Sequence, residues 1–167
     1  MTHSTRLIDN LRRVEIFAGL TDDDLSKVAS VCKGMRAAAG RAVFNEGDDG
    51  DEFYVVHEGA VRVIIATRAP DGQISRSTIN TLYPGQCFGE GALVSGSLRS
   101  ASVEAIEPTT LIVISTADFH GLCERDPRIG YRVLHNLAQD LSYKLNSSNL
   151  LLRGNIKWRD DELSPIE

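Results

Sequence analysis

From Gly40 to about Ser115 the chain carries short strand signals separated by turns, and helical periodicity lies on both sides of that stretch. Two β-rich runs, Phe53-Tyr54-Val55-Val56 and Val61-Arg62-Val63-Ile64-Ile65, flank His57-Glu58-Gly59-Ala60, and their spacing predicts a hairpin. Ala69-Pro70-Asp71-Gly72-Gln73 has the composition of a turn, Ile79 to Leu82 predicts the next strand, and Tyr83-Pro84-Gly85 ends it. Val103 to Ala105 and Leu111 to Ile114 add two more strands around Glu107-Pro108. Six or more short strands at this spacing predict a barrel or jelly roll.

The flanks are helical. Leu7, Ile8, Leu11, Val14 and Phe17 recur at helical spacing, and Thr21-Asp22-Asp23-Asp24 has the form of a capping box with Asp in the usual Glu position. The positive end of a helix accounts for Asp22 to Asp24 better than a metal does, because no further oxygen ligands follow at loop spacing. Beyond Ala117-Asp118-Phe119, Pro127 suits an early helical position. Ile129, Val133, Leu137, Leu141 and Leu145 then repeat every fourth residue, Leu134 widens the stripe, and Gly154 is the expected stop. The expected organisation is one domain over 1–153, with a helical opening (5–33), a β-roll (40–115) and closing helices (116–153), followed by a short tail (154–167). The fold class is mainly β with flanking helices.

Composition narrows the function classes. A chain of 167 residues with 42% hydrophobic and 25% charged residues suits a single folded domain. A net charge of −5 argues against a broad nucleic-acid face. No apolar run approaches a membrane span, and Met1 to Arg6 lead into charge and not into a secretion signal, so a cytoplasmic protein is expected. Cys32, Cys87 and Cys123 form no CxxC pair and read as reduced, buried filler.

The chemistry concentrates in Phe88-Gly89-Glu90-Gly91-Ala92-Leu93, then five residues, then Arg99-Ser100-Ala101-Ser102-Val103-Glu104-Ala105. Gly89 and Gly91 would let backbone N–H groups approach a ligand, and a helical turn starting there would aim amides at an anion. Arg99 brings a charged fork suited to phosphate oxygens. Glu90 repels phosphate but can accept hydrogen bonds from a neighbouring sugar hydroxyl. Together these groups describe a sugar-phosphate pocket, although Glu90 and Arg99 would serve equally as a structural ion pair.

The stretch Phe88 to Ala105 resembles the phosphate-binding cassette of the cyclic nucleotide-binding domain family, which includes catabolite activators and protein-kinase regulatory subunits. Gly47-Asp48-Asp49-Gly50-Asp51-Glu52-Phe53-Tyr54-Val55-Val56-His57-Glu58-Gly59 resembles the family's upstream strand-turn-strand signature, and Ile16-Phe17-Ala18-Gly19-Leu20-Thr21 its helical opening. The resemblance covers about residues 10–145. It implies a β-roll of about eight strands that binds cAMP or cGMP and has no catalytic or metal residues. Glu90 would take the ribose 2′-hydroxyl, Arg99 the exocyclic phosphate oxygens, and Gly89, Gly91, Ala92, Ser100 and Ala101 would complete the cradle. Val63 and Ile79 would pack against the base, with Phe88 and Leu93 holding the cassette from the core. Ser100 stands where cGMP-preferring relatives often carry Thr, which favours cAMP. Gly91 replaces the Leu or Ile of many relatives. Lys144-Leu145 replaces the Thr-Ser with which the family's bacterial activators read adenine, leaving Leu145 or Asn146 as candidates to cap the base.

Rival readings lack support in the residues. A metal-dependent cupin-type enzyme needs converging histidines, and His3, His57, His120 and His135 form no HxH pair. A transcription factor needs further helices, whereas Gly154 to Glu167 offers 14 residues of mixed charge, in which Trp158 would serve terminal packing. An interaction scaffold that has lost its ligand would not need intact Glu90 and Arg99. The expectation is therefore a standalone sensor without a DNA-binding module. It would act on an unknown downstream protein through the C-terminal helix, where Leu150 to Leu152 extend the apolar surface and a homodimer is possible.

Overall fold

The computed structural model describes residues 3–96 and 98–162, with side chains described over 6–96, 98–143 and 145–146. Helix α1 (His3–Leu11) and a 3-10 turn (Glu15–Phe17) lead into α2 (Asp22–Ala29). The capping box at its start is formed: Asp24 N–H donates to the Thr21 hydroxyl while the Thr21 amide donates to the Asp24 carboxylate. Such a cap stabilises a helix by about 1 kcal/mol.

Eight strands follow in two four-stranded antiparallel sheets. The first has the order β1 (Cys32–Ala37), β8 (Thr109–Ser115), β3 (Glu52–Glu58), β6 (Cys87–Phe88). The second runs β2 (Ala42–Phe44), β7 (Ser102–Ala105), β4 (Val61–Arg68), β5 (Ile74–Leu82). The one-turn helix α3 (Ala92–Ser95) interrupts the chain between β6 and β7; α4 (Thr116–Arg125) and the long α5 (Pro127–Glu162) close it.

Both faces of β3 and β8, the middle strands of the first sheet, are buried. On β3 and β8, Phe53, Val55, Ile112 and Ile114 pack under the helices with Phe17, Phe119, Ile129, Val133 and Leu137. The intervening Tyr54, Val56, Leu111 and Val113 fill the inside of the roll with Phe88 and Val103. A strand buried on both sides reads as an unbroken apolar run, which is why these two strands stand out in the sequence.

Three expectations are corrected. The helical opening ends at Ala29, and β1 starts at Cys32 as an edge strand paired to β8. Its Cys-Lys-Gly-Met-Arg-Ala sequence has little strand propensity, so ladder pairing and not side-chain preference makes it a strand. The predicted hairpin between Phe53–Val56 and Val61–Ile65 is not one, because β3 and β4 belong to different sheets. Gly59, at φ +86°, turns the chain between them, and a Cβ there would lie 2.6 Å from the Thr109 hydroxyl and 2.8 Å from the Pro108 carbonyl oxygen. The buried Thr109 hydroxyl also accepts from the Ala60 amide, so the corner is tied to the turn before β8. The true hairpin is β4–β5, closed where the Ala69 amide donates to the Gln73 carbonyl oxygen. Helix α5, finally, runs through Gly154 to Glu162. A lone glycine costs a helix about 1 kcal/mol and does not by itself end one. The side chains of Leu150 to Leu152 and Trp158, and residues 163–167, lie outside those described.

Among the described residues no helix is long and apolar enough to cross a membrane. Cys32, Cys87 and Cys123 form no disulfide with one another, each is partly buried, and burial pushes the Cys32 thiol up to about 12.

Candidate functional site

The loop after β6 folds back on itself. Gly89 has φ +73°, a conformation that calls for glycine, and a Cβ there would sit 2.7 Å from Nη1 of Arg99 and 3.3 Å from the Glu52 carbonyl oxygen. Gly91 is different: it caps α3 in an ordinary right-handed conformation with nothing within 4 Å of its would-be Cβ. Backbone conformation thus calls for glycine at Gly89 and not at Gly91. The Ala92 amide, expected to face a ligand, donates to the Gly89 carbonyl oxygen at 3.1 Å and closes the turn.

This loop forms one wall of a cleft of about 450 Å³. Gly89, Glu90, Gly91 and Ala92 line it from one limb, and Arg99, Ser100 and Ala101 from the other. Phe88 from β6, Val63 from β4 and Ile79 from β5 line it as well. The β4–β5 ladder shifts register between Val63 and Ile64, where Val63 pairs with Asn80 and Ile64 with Thr78. Such a bulge breaks strict alternation, and the consecutive residues Ile79 and Asn80 both line the cleft. Leu93, assigned to the core, is buried there. Leu145 and Asn146 are exposed on α5 outside the cleft lining, which α5 reaches through Leu141 one turn earlier.

Arg99 is 7% exposed. Its amide donates to the Asp48 carbonyl oxygen and its own carbonyl oxygen accepts from the Gly47 amide, each at 2.8 Å, so the turn before β3 clamps its backbone. Its Nη2 donates to the Glu52 carbonyl oxygen at 2.8 Å and Nη1 reaches the Gly89 carbonyl oxygen at 3.4 Å, while the buried Nε has no partner. Cζ lies 4.2 Å from the ring centroid of Phe44 and 5.7 Å from that of Tyr54. No carboxylate among the described residues comes within ion-pair distance of it, so Glu90 and Arg99 are not a structural ion pair. The Glu52 carboxylate accepts instead from the Tyr54 hydroxyl at 2.8 Å, and burial together with that carboxylate raises the phenol's pKa above its usual value. A buried guanidinium whose hydrogen bonds go to neutral carbonyls still carries its positive charge, and a buried N–H without a partner leaves its bonding incomplete. That suits an anion.

Sequence reasoning missed Phe44, Asn80, Leu98 and Leu141 in the cleft lining. Leu141 was visible in the helical stripe, but which of its residues turn toward the roll depends on how α5 lies. Phe44 sits far from the cassette in sequence and reaches it only because β2 pairs with β7. Among the described residues no three His, Cys, Asp or Glu side chains gather as a metal site.

A family model described as the cyclic nucleotide-binding domain matches residues 35–126, more than half of the chain. The cyclic AMP receptor protein of Thermus thermophilus is 33% identical over 137 residues, 82% of this chain and 60% of its own length. A cGMP-dependent protein kinase of Caenorhabditis briggsae is 34% identical over 108 residues, 65% of this chain and 14% of the kinase. The chain thus spans less than two thirds of either relative. A solved cyclic nucleotide-binding domain from Methylobacillus flagellatus superposes with a TM-score of 0.75 at 25% identity, covering 92% of this chain and 84% of that one.

Proposed function

The chain belongs to the cyclic nucleotide-binding domain family, and on that premise we propose that its cleft binds cAMP in preference to cGMP and that it acts as a non-catalytic sensor. The observation that carries this reading is Arg99, a buried guanidinium with no carboxylate partner among the described residues and an orphaned Nε, in the wall of a cleft that Glu90 also lines. The ligand's phosphate would complete the bonding of Arg99, and Glu90 would accept from the ribose 2′-hydroxyl. Val63 and Ile79 offer apolar surface to the base, and Ser100 in place of Thr supports the preference for adenine.

Output would pass through α5. Ile129, Val133 and Leu137 anchor its first turns in the core, whereas Leu141 and Leu145 are 40% and 62% exposed. A base in the cleft would meet Leu141 first, and Leu145 or Asn146 only if the helix swings inward. Such a movement responds to the ligand only through a difference in affinity between two helix positions. The exposed Leu134, Ala138, Leu141 and Leu145 follow a four-three-four spacing, which supports a parallel homodimer through α5 as a second partner of this face.

Calorimetric titration with cAMP and cGMP tests the reading directly. Wild type binds cAMP the more tightly, and Arg99→Ala loses about 2–5 kcal/mol because the phosphate is left without its cation. Equal affinity in wild type and Arg99→Ala would remove Arg99 from the site. A 2′-deoxy ligand weakens wild type much more than Glu90→Ala; equal losses would break the Glu90 assignment.

A further inference from the structure

Among the described residues no carboxylate comes within 4 Å of the Arg99 guanidinium, so contacts other than a direct ion pair hold it where it lies. Two carbonyl oxygens take its Nη groups, one of them at the long distance of 3.4 Å. The nearest extended surface is the ring of Phe44, 4.2 Å from Cζ. We propose that Phe44 is a positioning residue for the phosphate-binding arginine, its ring face fixing the guanidinium by a cation–π contact. The proposal rests on the reading of the cleft given above.

A ring can do this where a carboxylate cannot. The negative face of an aromatic ring attracts a cation most strongly when both are removed from water, and it leaves the outer N–H groups free to donate elsewhere. A carboxylate in the same place would occupy those donors and cancel the charge that an anionic ligand needs. Phe44 is itself held in place. It pairs on β2 with Val103 of β7, and its ring lies 5.7 Å from Tyr54 and 5.9 Å from Phe88, which stack on each other at 5.1 Å. It lines the same cleft as Glu90 and Arg99, and its ring face lies against the guanidinium. Its role is to orient.

The test uses the whole chain, with cAMP and its 2′-deoxy analogue as titrants. Phe44→Leu should weaken cAMP binding by about threefold to thirtyfold, the range of a cation–π contact from exposed to desolvated. Phe44→Met, which keeps the volume without the ring, should lose as much, and Phe44→Tyr should restore affinity to within about twofold. The loss should be the same for the 2′-deoxy ligand, since the ring acts through the phosphate contact and not through Glu90. In nuclear magnetic resonance spectra the Arg99 Nε–H proton should move downfield in Phe44→Leu and return in Phe44→Tyr, because ring-current shielding vanishes and reappears with the aromatic face. Wild-type affinity in Phe44→Leu and Phe44→Met, or a loss that Tyr does not rescue, would overturn the proposal while leaving the cleft's function intact. A wild type that binds neither cAMP nor its analogue would overturn the functional reading, and this role for Phe44 with it.

Discussion

At the residue scale, the space around Arg99 separates two kinds of glycine. A Cβ on Gly50 would lie 2.9 Å from Nε and 3.0 Å from Cζ of Arg99, and both are atoms near the far end of a flexible side chain. Gly50→Ala should therefore displace the guanidinium at little cost in stability: thermal unfolding changes by a few degrees at most, while calorimetry shows cAMP affinity falling about tenfold or more. Unaltered affinity would mean that Arg99 adapts and that its observed position is not needed. Gly91→Leu is the control, because open space surrounds that position and no unusual φ is required, so the fold should be unaffected. Much of this site is legible from the sequence because Phe88 to Ala101 is one continuous segment whose glycines, acid and arginine announce their chemistry. Phe44 is not legible in the same way. Its part depends on a strand pairing, and nothing local distinguishes a phenylalanine under an arginine from one in the core.

At the scale of elements, α2 and α5 are joined by charge. The fully buried Asp24 accepts from Thr21 within the capping box and pairs with Arg128 on the first turn of α5. Burial pushes its carboxyl pKa up, but the Thr21 hydroxyl and amide and the Arg128 guanidinium outweigh it, so the folded value lies below the usual carboxylate value. A group depressed on folding contributes stability above its unfolded pKa of about 4 and loses it as the pH falls through the folded value. Asp24→Asn should lower stability by about 1–3 kcal/mol near neutrality, as judged by urea midpoints, and the gap to wild type should shrink at about pH 3 and below. A gap that stayed constant to low pH would show that shape, and not charge, makes Asp24 matter. The capping box is visible in the sequence because all its partners lie within four residues. The Arg128 contact spans the whole roll and is not, and the misread hairpin has the same cause. Two strand signals around a glycine look alike whether the chain folds back on itself or, as at Gly59, crosses to the other sheet.

For the molecule as a whole, the question is which surface α5 gives to the cleft and which to a partner. Leu141 lines the cleft, whereas Leu134, 47% exposed, lies two turns earlier and outside it. A second cavity of about 600 Å³ is lined by Asn136, Gln139 and Tyr143 of α5 and by the Pro84–Gln86 turn. If α5 serves both uses, the two leucines separate them. Leu141→Asp should weaken cAMP binding, since it sets a carboxylate in the lining of the cleft proposed to hold the nucleotide's phosphate, and it should also weaken a helix-paired dimer. Leu134→Asp should leave ligand affinity within about twofold and should by itself shift sedimentation from dimer to monomer, because a charge in the seam of a helix pair is desolvated without a partner. Monomeric wild type at every concentration would rule out the dimer while leaving the role of Leu141 at the cleft to be judged by calorimetry alone. Loss of affinity in Leu134→Asp equal to that in Leu141→Asp would mean that dimerisation itself shapes the cleft. In that case ligand binding would depend on protein concentration as well as on ligand.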